Sequence, residues 1–246
     1  MSRIKVHIPW RKAGQRLLSF LLLLLLAAGV SFSLAGKKIS AADKQAGNVT
    51  ALNPSRWDRL LDKYTGKKKT KQLLFVKYKG GSRATVSYYR KKFDGSFRKC
   101  FSVLGYVGKR GIGKVREGDK KTPTGTFTPT VAFGNLSNPG AKLPYTKVTS
   151  RHYWSSDRRK YNRMVRVGRY SSAPRGEHLI DYKKPYAYAL EIGYNRACTY
   201  GKGSAIFLHC YGSNRYTLGC ISVPKSYMRR IIRTMDPHAK ICIYKN

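Results

Sequence analysis

Acidic residues are scarce in this chain of 246 residues: 11 Asp and Glu stand against 50 Lys and Arg, a formal net charge of +39. The few carboxylates show no paired signature of the kind that glycoside hydrolysis needs, which argues against a glycosidase. No glycine-rich loop of the phosphate-cradling type occurs, which argues against a kinase. No internal repeat runs through the chain. Cys198, His209, Cys210 and Cys220 lack the short paired spacings of structural zinc ligands, so neither a metal nor a cofactor is expected. Basic residues are abundant, yet they are not interleaved with aromatics in the manner of a nucleic-acid module, and no nucleic-acid partner is expected.

What is present begins with an export signal. Arg3, Lys5, Arg11, Lys12 and Arg16 precede an apolar run from Leu17 to Ala35 that contains six consecutive leucines and no acid. A basic flank followed by an apolar core and small residues at Ser33 and Ala35 reads as a signal peptide. The run is also close to the ~20 residues that span a bilayer, so an uncleaved signal anchor stays open. Either way the chain beyond it is expected outside the cytoplasmic membrane, exported to the cell wall or held at the membrane's outer face. There the excess of positive charge, which persists after residue 35, points to anionic wall polymers or lipid headgroups as partners.

Residues 1–35 are therefore expected to be a signal peptide or anchor, 36–71 a polar basic linker with one short helix near Arg56–Tyr64, and 72–246 a single catalytic domain. Within that domain, strands are predicted over Gln72–Tyr78, Ala84–Arg90, Lys99–Leu104, Tyr186–Ile192, Ala205–His209 and Lys240–Tyr244. One helix stands out: Pro224 opens it, Met228, Ile231, Ile232 and Met235 recur at helical spacing, and Pro237 closes it. The fold class is mainly β with one clear C-terminal helix.

The chemistry concentrates in Ala205-Ile206-Phe207-Leu208-His209-Cys210 and Thr217-Leu218-Gly219-Cys220-Ile221-Ser222. A hairpin would set these two apolar segments side by side. Cys220 then supplies a nucleophile, His209 the base that a thiol needs near neutral pH, and backbone N–H groups at Gly219 and Cys220 an oxyanion site. Gly219, without a Cβ, would let a carbonyl substrate approach the backbone. Cys210 is the rival thiol, but on a strand it points away from the face that His209 uses. Cys100, Cys198, Cys210 and Cys242 remain as an even set, open to disulfides or to reduced burial. His152 and His238 suggest no role.

These residues resemble the L,D-transpeptidase catalytic domain, often called the YkuD family, in which a His is followed by a variable loop, Ser or Thr, a residue, Gly, Cys and an aliphatic residue. His209, Thr217, Leu218, Gly219, Cys220 and Ile221 fill those positions. Lys114 with Arg116-Glu117-Gly118-Asp119-Lys120-Lys121-Thr122-Pro123-Thr124-Gly125-Thr126-Phe127 is similar to a second motif of the family, and Tyr153-Trp154, Tyr161-Asn162 and Glu177-His178-Leu179 to one branch of it. The resemblance implies a β-sandwich and a cysteine enzyme that acts on peptidoglycan stem peptides, either joining an acylated stem to an amine or hydrolysing it as an L,D-carboxypeptidase. A thiol hydrolase acting on protein and an inactive wall-binding module are the other readings. Candidate substrate contacts are Thr217 through its hydroxyl, Leu218, Ser222, Arg215 as a counter-charge, and His178. Leu218 and Ser222 stand where many members carry a His and an Arg or Asn. The motif from Arg116 to Gly125 reads as a charged turn that also walls the substrate groove.

Overall fold

The computed structural model of the chain describes residues 53–169 and 171–245. The expected export segment and residues 36–52 of the expected linker lie outside the described residues. In chain order the elements are α1 (Arg56–Thr65), β1 (Gln72–Gly80), β2 (Arg83–Lys91), β3 (Phe97–Tyr106), β4 (Gly125–Phe127), β5 (Ala132–Gly134), β6 (Tyr145–Lys147) and β7 (His152–Ser155). There follow β8 (Arg163–Arg166), β9 (Gly176–His178), β10 (Ala189–Glu191), β11 (Phe207–Cys210), β12 (Ile221–Val223), α2 (Lys225–Thr234) and β13 (Lys240–Lys245).

Ten strands form one mixed sheet in the order β4-β13-β1-β2-β3-β12-β11-β10-β5-β6. Its two halves meet at a single paired position, Tyr106 of β3 with Ser222 of β12. Side chains of both halves share one core: Leu74, Val76, Val86 and Tyr88 pack in the same cluster as Leu190, Leu208 and Ile221. That is a sandwich made by one sheet turned on itself, and the chain is mainly β as its alternating segments predict. Met228, Ile231 and Ile232 of α2, all fully buried, fill this core. Each contributes about 1.5–3 kcal/mol of apolar burial. A separate sheet in the order β8-β7-β9 stands beside it.

β1 explains why α1 exists. Leu73-Leu74-Phe75-Val76 is apolar without alternation, the mark of a strand covered on both faces. Leu74 and Val76 enter the main core, while Leu73 and Phe75 pack on the other side with Tyr89, Cys242, Trp57 and Tyr64. Trp57 lies 5.1 Å from Phe75, ring centre to ring centre. Ser55 caps the helix in a reciprocal pair with Asp58. Residues from Pro54 onward thus belong to the folded unit, which corrects the expectation of a spacer up to residue 71: a short amphipathic helix had a strand face to cover. A smaller correction concerns Tyr186 and Ala187, expected in a strand but placed in a 3-10 turn over Pro185–Ala187, with only Ala189–Glu191 extended. All five cysteines are free thiols.

Candidate active site

β11 and β12 do lie side by side, but they run parallel, with Leu208 opposite Ile221 and His209 opposite Ser222. The expected hairpin is therefore wrong. After Cys210 the chain travels back along the residues that follow β3: Thr217 donates its N–H to the Val107 carbonyl at 2.9 Å and accepts from Lys109 N–H at 2.8 Å. It then turns at Gly219 into β12. The φ of Gly219 is +151°, and a Cβ there would sit 2.9 Å from Ile206 Cδ1 and 3.1 Å from the Lys121 carbonyl oxygen. Glycine is needed because the chain itself occupies the space that was expected for substrate.

This return sets the Cys220 peptide rigidly. The Thr217 hydroxyl donates to the Cys220 carbonyl at 2.6 Å and accepts from Gly219 N–H at 3.1 Å. The Thr122 hydroxyl donates to the same carbonyl at 3.1 Å and accepts from Gly108 N–H at 2.9 Å. With its carbonyl held from two loops, the Cys220 N–H is left without a backbone acceptor among the described residues. That N–H, which belongs to the preceding Gly219–Cys220 peptide, is a donor available to an oxyanion. The Cys220 thiol donates to the Ala205 carbonyl at 3.1 Å and takes a contact of 3.3 Å from Phe207 N–H. Burial pushes its pKa up to about 12, and the nearby Glu177 charge adds to the rise.

His209 shares this side of the sheet. Its ring meets Tyr186 edge-on at 5.6 Å, and Tyr186 packs in one cluster with Cys220, Phe207 and Trp154. Cys210 turns the other way, into the main core, and donates its thiol to the Tyr188 carbonyl. Nδ1 of His209 lies 2.7 Å from the Cys210 carbonyl, an acceptor only. Nδ1 therefore carries the proton, and Nε2 holds the lone pair of a base. Burial pushes the His209 pKa down to about 4. No hydrogen bond joins His209 to Cys220 among the described residues; at neutral pH one is a neutral imidazole and the other a protonated thiol.

A cleft of about 270 Å³ opens over Cys220, with Lys114, Glu177, Trp154 and Leu218 in its walls. Of the candidate substrate contacts, Leu218 lies at the cleft, 68% exposed. Thr217 spends its hydroxyl on the backbone, so it positions the Cys220 peptide. Ser222 is buried beside His209 in the strand register. Arg215 lies elsewhere, with Ser82, Arg83, Leu104 and Tyr106. His178 also points away, bound to Asp181 at 3.0 Å and to the Ser150 carbonyl at 2.8 Å and stacked on Tyr153. Its neighbour Glu177 is the cleft residue, because adjacent residues on β9 face opposite sides. Tyr186 donates its hydroxyl to Glu177, whose pKa burial pushes up to about 7.

Lys114 and Asp119 were missed as site residues. They form a buried ion pair at 2.9 Å, with side chains 2% and 8% exposed. Asp119 also accepts N–H groups of Val115, Arg116 and Lys121. The available signal was an acid five residues after a lysine across a glycine turn, hidden among many other basic residues. Among the described residues no group of three or more His, Cys, Asp or Glu is placed to hold a metal ion.

A family model described as the L,D-transpeptidase catalytic domain matches residues 67–243. Among solved structures, the chain is similar to the helical cell shape determining protein Pgp2 from Campylobacter jejuni. The two are 16% identical, covering 77% of this chain and 55% of that one, with a TM-score of 0.39. It is also similar to Ldtfm, solved as the avibactam carbamoyl enzyme: 13% identical, 72% of this chain and 49% of that one, TM-score 0.34. The chain spans about half the length of these structures. No curated protein matches it.

Proposed function

The chain belongs to the L,D-transpeptidase catalytic domain family, and from that premise we propose that it is a cysteine-dependent L,D-transpeptidase acting on peptidoglycan stem peptides. The observation that carries this reading is Cys220 itself: a thiol on the cleft, its own carbonyl clamped by Thr217 and Thr122 and its N–H uncommitted.

In the proposed reaction, rotation of the Cys220 side chain takes the thiol off the Ala205 carbonyl and towards Nε2 of His209. Nε2 takes the proton as sulfur attacks the carbonyl carbon of the stem peptide; a C–S bond forms and the carbonyl electron pair moves to oxygen. The Cys220 N–H holds that oxyanion, a contribution of about 3 kcal/mol for one donor. As the oxyanion collapses, the C–N bond breaks and the imidazolium returns its proton to the departing D-amino acid. An amine of a second stem then attacks the thioester carbon and gives its proton to Nε2 of His209; the new C–N bond forms, the C–S bond breaks, and the proton returns to the Cys220 sulfur as the cross-linked product leaves. The Nδ1 bond to the Cys210 carbonyl keeps His209 in the tautomer that both proton transfers require. Under the same reading the first 35 residues export or anchor the domain, and its cationic surface retains it at anionic wall polymers or lipid headgroups.

The test is mass spectrometry of muropeptides carrying tetrapeptide stems after incubation with the purified protein and with its Cys220→Ala variant. Cysteine-dependent dimers are expected. Cysteine-dependent loss of the terminal residue without dimers would make the protein an L,D-carboxypeptidase instead, and turnover by the Ala variant would overturn the assignment of the nucleophile.

A further inference from the structure

We propose that Lys114 presents its ammonium to the cleft as the fixed counter-charge of the anion made there, first the Cys220 thiolate and then the tetrahedral oxyanion. The inference rests on Cys220 being the nucleophile. It gives the turn from Lys114 to Asp119 a part in the chemistry that a purely structural turn would lack.

Lys114 is unlike the other basic residues of this chain. Most of them extend into solvent, whereas its side chain is 2% exposed and still lines the cleft over Cys220. An ammonium has three N–H donors. One of them goes to Asp119 Oδ1 at 2.9 Å, and the other two have no acceptor among the described residues. Buried donors are seldom left unused, so two of them on a cleft wall are a provision for an anion.

The path of the side chain shows which anion. A Cβ at Gly203, whose φ is +121°, would fall 2.3 Å from Lys114 Cε and 3.3 Å from Cδ. A Cβ at Gly219 would fall 3.8 Å from Nζ. The stem thus runs across a bare stretch of backbone at Gly203, and its head stops beside the residue that precedes Cys220. Asp119 cannot draw it away. Three backbone N–H groups fix that carboxylate within its own loop, so the pair is a clamp that aims Nζ at one place. Lys120 also lines the cleft, but it is exposed and free to swing. In electrostatic direction Lys114 eases ionisation of the Cys220 thiol, against burial and against Glu177. With no hydrogen bond from His209 in this arrangement, the Phe207 N–H and the buried Lys114 cation are what favour sulfur as an anion, and of the two only Lys114 carries a full charge.

The experiment reads the thiol directly and needs no peptidoglycan. The full-chain protein is alkylated with iodoacetamide across a pH series, and Cys220 modification is followed by peptide mass spectrometry, which separates it from the other four cysteines. Lys114→Met should raise the pH midpoint of Cys220 alkylation by about one unit, a roughly tenfold lower rate near neutrality. Lys114→Arg should stay within about threefold of the parent, because the charge remains. The preference for anionic iodoacetate over neutral iodoacetamide should fall in the Met variant and persist in the Arg variant. Lys114→Gln, which keeps a hydrogen bond to Asp119, serves the same purpose should the Met variant not fold. A folded, charge-free variant with the parent pH profile and the parent reagent preference overturns the inference while leaving the nucleophile standing. Parent Cys220 that stayed inert throughout the series would overturn both.

Discussion

The two walls of the cleft treat negative charge in opposite ways. Behind one wall, paired with the cleft residue Lys114, Asp119 is buried and ionised: burial works against the carboxylate, but the Lys114 hydrogen bond and three backbone N–H groups outweigh it and hold its pKa well below the usual carboxylate range. On the other wall Glu177 is partly buried with a single neutral donor, the Tyr186 hydroxyl, and burial lifts its pKa to about 7. Two carboxyls in one small space thus end with different charges because one has its donors supplied and the other does not. Near neutrality the surroundings of Cys220 therefore include one full ion pair, Lys114 with Asp119, and at Glu177 one carboxyl poised between its two forms.

The contrast can be broken from the Asp119 side with the largest effect. Asp119→Ala leaves a buried ammonium and three N–H groups uncompensated, and we expect a loss of about 3–5 kcal/mol in urea unfolding. A loss below 1 kcal/mol would mean that the pair contributes little and that the two walls are alike.

His209 tests the apolar side of the site. Its folded pKa of about 4 lies below the ordinary 6.5. As pH falls through that window the unfolded chain takes the proton first, so native stability should decline between about pH 6.5 and 4, by at most about 3 kcal/mol. In His209→Gln that part of the acid slope should vanish from a series of unfolding curves; an unchanged slope would show that the ring is not desolvated.

Tyr186→Phe removes the one donor to Glu177 and should cost about 1–2 kcal/mol, again by urea unfolding. Glu177→Gln tests the same wall through its pH dependence, and its sign runs against that of His209. The folded carboxyl keeps its proton to about pH 7, above the ordinary 4.5, so native stability falls as pH rises through that interval. The Gln variant should be flat there, and a parent protein that gained stability over the same interval would show Glu177 to be ionised and paired.

Much of the fold was legible where periodicity and burial coincide. Met228, Ile231 and Ile232 lie on the buried face of α2 as their spacing predicts, and β1, β2 and β3 follow the predicted strands to within a few residues. Strand direction was not legible. Ten residues between Cys210 and Ile221 suit a hairpin loop, and only the tertiary anchorage of Thr217 beside Val107 and Lys109 makes them a return path between parallel strands. The helix over Arg56–Thr65 was visible, but its place in the folded unit was hidden, because the face it covers belongs to β1, β2 and β13. At the site, alternation on β11 separated His209 from Cys210 correctly, whereas Glu177 and His178 were weighed the wrong way round. Arg215 and Lys114 show a further limit. Among 50 basic residues, composition cannot tell a solvated side chain from a clamped one.

The clamp on the Cys220 carbonyl carries a consequence for how this protein matures. Thr122 and Cys220 are 98 residues apart in sequence, and their hydrogen bond forms only after the middle of the domain has met its last part. Contacts of such long range are late and slow to assemble. A chain whose strands have already collapsed still lacks a properly set Cys220 until this closure occurs. Reactivity of the Cys220 thiol should therefore report the end of folding.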